Sequence, residues 1–167
     1  MPYPTWTAGQ RITGAQLAAM APDIIVKSSD TSRASTTTLA ADPHLLFSVV
    51  PGTYVLDGGM YYAGEYNNGN LKLDWAVPPG TAMRWSVSAP AIGGQAAFAS
   101  QSSVPGIPLT VGTYGVGGAG DLTSCQPMGH IVVTNAGTLQ LRWAQAGSHT
   151  TATTIAAPSW LRLQRIA

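Results

Sequence analysis

The run "SWLRLQRIA", Ser159–Ala167, decides the fold. Leu161 and Leu163 alternate with Arg162 and Gln164, the period-2 pattern of a strand with one buried and one polar face. End residues are ordinarily loose and solvated. A strand placed here therefore has to be held by neighbours on both sides, as the last strand of a jelly roll is.

Working outward, "GHIVVTNAGTLQLRWAQ" (129–145) reads as a hairpin turning at Asn135-Ala136-Gly137. "TYVLDGGMYY" (53–62) puts Tyr54, Leu56, Met60 and Tyr62 on one face, with Gly58-Gly59 as an expected bulge or kink. "NLKLDWAV" (70–77) sets Leu71, Leu73, Trp75 and Val77 opposite Lys72 and Asp74. Between these two, Asn68-Gly69 has the residue types of a type I′ hairpin, where both positions need positive φ. "AMRWSVS" (82–88) follows a Pro-Pro-Gly turn, and weaker runs bring the expectation to roughly eight to eleven strands. Short strands separated by Gly, Pro and Asn turns, without βα alternation, indicate an all-β sandwich, and a jelly roll in particular. One short helix is expected at "TGAQLAAM" (13–20), where Thr13 and Gln16 have capping-box spacing and Pro22 ends the run. Before it, "PYPTWTAGQR" (2–11) reads as an extended arm. The domain expectation is thus an arm and helix over residues 1–22 and a jelly roll over 23–167.

Charged residues are 9% of the chain, where about 25% is usual. The polar surface is built instead from 18 Thr, 13 Ser and 19 Gly, which suits strands, turns and contacts between subunits that bury no charge. A net charge of +1 with no basic run lacks the footprint of nucleic-acid or anionic-membrane binding. No apolar stretch reaches membrane-spanning length and the start has no signal-peptide pattern, so synthesis in a cytoplasm is expected. The single Cys125 excludes an internal disulfide framework and reads as a small buried apolar residue.

Few motifs carry chemistry. Gly115, Gly117 and Gly120 match G-x-G-x-x-G, but no helix-forming run follows to offer amides to a phosphate. His44, His130 and His149 are scattered, without a second ligand at metal spacing. A calcium site would need Asp57, Asp74 and Asp121 to meet in space. Glu65 is the only glutamate and no nucleophile elbow is present, so neither a carboxylate pair nor a catalytic triad is announced, and no enzymatic activity or cofactor is expected. Tyr61, Tyr62, Asn67 and Trp75 are candidates for stacking and hydrogen bonding to a glycan. Trp143, Arg142, Trp160 and Arg162 are candidates for a subunit interface, the arginines pairing across the boundary.

Three stretches, "TWTAGQRITGAQLAAMAP" (5–22), "KSSDTSRASTTTLAADPHL" (27–45) and "LQLRWAQAGSHTTATTIAAPSWLRLQRI" (139–166), resemble small virion structural proteins of tailed bacteriophages of actinobacterial hosts. These are minor tail, capsid-decoration or head-fibre proteins. "SWLRLQRI" also resembles the last strand of trimeric jelly rolls of the tumour-necrosis-factor type. The resemblance implies a homotrimer on the virion surface, anchored to other virion proteins of capsid or tail through Tyr3, Trp6, Arg11, Ile12, Leu17 and Met20. Host-cell glycans are the alternative partner. It carries over no catalytic residue.

Overall fold

A computed structural model describes residues 7–18, 20–92, 94–113 and 122–167, with the side chains of 94–98 outside the description. Its described elements are α1 (Gly14–Ala18), β1 (Asp23–Val26), β2 (Thr31–Arg33), β3 (Ala40–Val49), β4 (Gly52–Ala63), β5 (Leu71–Ala76), β6 (Ala82–Ala91), β7 (Gly94–Ser103), β8 (Leu109–Val111), β9 (Thr123–Val133), β10 (Gly137–Gln145), β11 (Thr153–Ile155) and β12 (Trp160–Arg165). The strands form two sheets, one ordered β1-β12-β4-β9-β6-β7 with β11 and β2 off the end of β4, the other ordered β3-β10-β5-β8. Leaving out the inserted β6–β7 hairpin and the short β2 and β11, four strands lie in each sheet, β1-β12-β4-β9 facing β3-β10-β5-β8. This is the eight-stranded jelly-roll order.

The closing run behaves as its pattern requires. β12 pairs antiparallel with β1 on one side and β4 on the other, burying Leu161 and Leu163 while Arg162 faces out. The alternating faces of both sheets meet in one core, where Trp75 and Trp85 pack edge to face with ring centroids 6.3 Å apart.

The two expected hairpins are instead crossovers between sheets. β4 belongs to the large sheet and β5 to the small one, and β9 and β10 are divided in the same way. Around residues 65–69 the backbone closes a wider turn, Gly69 N donating to Glu65 O at 2.8 Å, with Asn67 rather than Asn68 at positive φ (59°). Nor do Gly58 and Gly59 form a bulge. Register with β9 and β12 runs through them unbroken, and the glycines are needed for close approach: a Cβ on Gly58 would meet Trp160 O and Leu161 Cδ2 at 2.6 Å. Register shifts fall elsewhere: residues 42–45 of β3 lie opposite the single Leu141 of β10, and a second shift follows Pro90 where β6 pairs with β7.

Helix α1 carries the expected capping box: Thr13 N donates to Gln16 Oε1 at 2.9 Å, and Gln16 N to Thr13 Oγ1 at 3.3 Å. It buries no residue, and Ile12 and Leu17 are exposed.

Candidate functional site

Among the described residues, the outer face of the large sheet exposes a group of apolar side chains. Cross-strand register sets Ile24, Arg162, Asp57, Met128, Ser86 and Ser102 in one row. Gln164, Val55, His130 and Arg84 form the next row. Ile24 (60%), Val26 (55%) and Met128 (46%) are the most exposed apolar residues on this face, joined by Val55 and Val132. Between β4 and β6 it dips into a shallow groove over β9, lined by Val55, Asp57, Met128, His130, Arg84 and Ser86. Charge here is largely cancelled within the chain, because Arg162 grips Asp57 through Nε and Nη2. The carboxylate raises the Arg162 pKa further.

A second polar feature lies inside the sandwich. Lys27, just after β1, and Asp42 on β3 form an ion pair whose side chains are both fully buried. Lys27 Nζ is 2.8 Å from Asp42 Oδ2, 3.0 Å from Oδ1, 2.6 Å from Thr31 Oγ1 and 3.2 Å from His44 Nδ1. Asp42 Oδ1 accepts the backbone N–H groups of His44 (2.9 Å) and Leu45 (3.2 Å), and Oδ2 accepts Trp143 Nε1 at 3.0 Å. Burial opposes ionisation of Asp42, but the hydrogen bonds and charge of Lys27, with the His44 amide and Trp143, outweigh it and hold its pKa below the ordinary value. Arg33 stacks over the Trp143 ring at 4.2 Å and donates to the carbonyls of Ala40, Ala41 and Trp143.

Several sequence-predicted site residues lie elsewhere than expected. Of the glycan candidates, Tyr62 and Trp75 belong to the core, Tyr62 donating its hydroxyl to Gly112 O at 2.6 Å, because both sit on inward positions of alternating strands. Only Tyr61 and Asn67 reach the surface. Of the interface candidates, Trp143 is fully buried in its own chain for the same reason. Arg142 pairs with Asp74 and Arg162 with Asp57 within the chain, and both guanidiniums remain partly exposed. Trp160 is half-buried on the outer face of β12. Asp57 and Asp74 lie on different sheets, each held by its arginine, and so do not meet, while Asp121 and the glycines of 115–120 fall outside the described residues. Among the anchor candidates, Arg11, Ile12 and Leu17 are exposed and Met20 half-buried, while Tyr3 and Trp6 fall outside the described residues. Cys125 is buried, and burial pushes its thiol up to about 12.

Sequence reading missed the Lys27–Asp42 cluster. Its two members lie 15 positions apart and meet across the sandwich. The one available signal was an aspartate followed at two positions by a histidine in an otherwise apolar strand.

No protein-family model matches this chain, and none of the curated proteins matches it. Among solved structures it is similar to the tripod (BppUct-A-L) from the baseplate of bacteriophage Tuc2009, at 9% identity and a TM-score of 0.43 over 98% of this chain and 74% of that one. It is also similar to a carbohydrate-binding module from Cellvibrio mixtus lichenase 5A in complex with cellotriose (17% identity, TM-score 0.28, 87% of this chain and 98% of that one). A third is the infectious bursal disease virus VP2 subviral particle (10% identity, TM-score 0.23, 87% and 42%). With every one of these TM-scores below 0.5, the likenesses carry no argument about function.

Proposed function

We propose that this chain is a non-enzymatic structural protein of a bacteriophage virion, a minor tail or capsid-decoration (head-fibre) component on the particle surface. It assembles as a homotrimer through the open face of its large sheet and attaches to other virion proteins through the segment before β1. The observation that carries the reading is that face, where Val55, Met128 and Val132 stand exposed on the neighbouring β4 and β9, and Ile24 and Val26 stand exposed on β1 beyond the Arg162–Asp57 pair. Exposed apolar residues grouped on an ordered sheet mark a surface meant to be covered. With 9% charged residues and a net charge of +1, copies can approach without strong repulsion or costly desolvation. The apolar side chains of Ile12 and Leu17 are likewise left for something outside the domain. The sequence resemblance to small phage virion proteins adds to this reading.

Light scattering of the purified protein tests the assembly. Three chains of 17.3 kDa give about 52 kDa, and the pair of changes Met128→Asp and Val132→Asp is expected to return the mass to that of one chain with the fold intact by circular dichroism. A monomeric wild type at tens-of-micromolar concentration refutes the interface. Deleting residues 2–21 is expected to leave a folded β-domain that no longer enters particles, and persistent incorporation refutes the anchor. Specific signal on a glycan array, abolished by Tyr61→Ala, would transfer the function to receptor recognition.

A further inference from the structure

We propose that Lys27 and Asp42 are the reactants of a self-formed amide cross-link, a bond between Lys27 Nζ and Asp42 Cγ that ties the end of β1 to β3, one edge strand of each sheet. A plain buried ion pair is poor evidence of stabilisation, since removing two charges from water costs about as much as their attraction returns. What distinguishes this pair is the set of groups around it, each at the position that condensation requires.

The ammonium touches both carboxylate oxygens, at 2.8 and 3.0 Å, so the nucleophilic nitrogen is held beside the carboxyl group it would attack. Holding the reactants together removes much of the entropic cost of a bimolecular condensation. An amine attacks only after losing a proton, and His44 Nδ1, 3.2 Å from Nζ, is the base within reach. His44 is half-exposed, which gives the proton a route to solvent from an otherwise sealed site. The proton that the ammonium gives up passes to Oδ2, so that a neutral amine faces a neutral acid, and as the nitrogen adds to Cγ negative charge grows on Oδ1. Two backbone N–H groups, from His44 and Leu45, already point at that atom, an arrangement of the oxyanion-hole kind. Oδ2, held by the Trp143 indole N–H, is the leaving oxygen.

The balance closes without any co-reactant. Lys27 ammonium and Asp42 carboxylate give a secondary amide and one water: the Nζ–Cγ bond forms and the Cγ–Oδ2 bond breaks. Two of the three ammonium protons, relayed by His44, leave on Oδ2. The low-dielectric site favours the product, because an amide replaces two opposite charges that are expensive to bury. The residue after Asp42 is Pro43, which has no backbone N–H, so the competing loss of water from this aspartate as a cyclic imide is closed off.

The test is intact mass of the denatured full-length protein, taken at intervals after refolding, with peptide mapping. The expected result is a mass lighter by one water and a branched tryptic peptide joining Lys27 to Asp42, with no cleavage after Lys27. Asp42→Asn should reach the same product with loss of ammonia. Lys27→Met should keep its full mass, and His44→Ala should slow closure at least tenfold while remaining folded. Wild-type protein that keeps its full mass and is cleaved after Lys27 overturns the proposal. So does a lost water that maps to an unbranched peptide at Asp57-Gly58, where a cyclic imide can form.

Discussion

Replacing Tyr62 with Phe separates a core residue from a ligand-binding one. The Tyr62 side chain is fully buried and its hydroxyl donates to Gly112 O at 2.6 Å, linking β4 to the chain just after β8. Phe keeps the ring, so packing is retained and the loss is confined to one oxygen. The net value of such a hydrogen bond is about 1 kcal/mol, and stranding the Gly112 carbonyl in a buried site raises the total to about 2 kcal/mol. For a chain of this size each kcal/mol moves the thermal midpoint by about 2–4 °C, so a fall of roughly 4–8 °C is expected. Urea unfolding followed by tryptophan fluorescence should show a lower midpoint at unchanged slope, since the surface exposed on unfolding is the same. Wild type and variant have to be compared at one protomer concentration, because self-association makes stability depend on it. An unchanged midpoint would refute the placement of this hydroxyl, and loss of glycan binding at full stability would return Tyr62 to the surface.

The two arginine–aspartate pairs should respond differently. Arg162→Ala removes an exposed pair and should leave the urea midpoint nearly unchanged, whereas Arg142→Ala leaves the buried Asp74 with the Gly106 N–H (3.0 Å) as its partner among the described residues and should cost more than Arg162→Ala in the same urea assay. Cys125, its thiol pushed up to about 12 by burial, should resist iodoacetamide at pH 8 in the folded protein and react once urea is added. Protein caught before the cross-link closes should be acid-sensitive. Because the folded-state pKa of Asp42 lies below its usual 3.8, the stability it contributes is present above that value and lost as pH falls through the lower one. Closed protein, having no Asp42 carboxylate to titrate, should lack this part of the acid transition in a circular-dichroism titration.

The strand faces were legible because alternation is a local property. Leu161 and Leu163, or Tyr54, Leu56, Met60 and Tyr62, announce a buried side wherever their partners lie. The capping box of α1 was legible for the same reason. Partner choice was not. Asn68-Gly69 has hairpin residues, yet β4 and β5 part into different sheets, because in a jelly roll the next strand is not the neighbouring one. The same gap bears on the aromatic candidates: Tyr62 and Trp75 as glycan contacts and Trp143 as an interface contact each need an outward side chain, and their own alternation places all three inward. The Lys27–Asp42 contact crosses between the sheets, and its one local trace is the Asp42–His44 spacing in an otherwise apolar strand.

The position of β1 also decides how the molecule bears force. β1 is an edge strand of four residues, and Asp23 lies opposite Leu163, so the segment before it leaves from the same end of the sandwich as residue 167. Tension applied between residue 22 and residue 167 would open the β1–β12 ladder rung by rung, the weak direction for any pair of strands. Tension between residue 22 and the turns at the opposite end, such as 64–70, runs along the strands and loads every rung at once. Lys27 follows the last paired residue, Val26, and its own N–H still bonds Ser159 O at 2.7 Å. A covalent tie there would stop peeling at that point and pass the pull into β3, turning the most easily stripped strand into a tether.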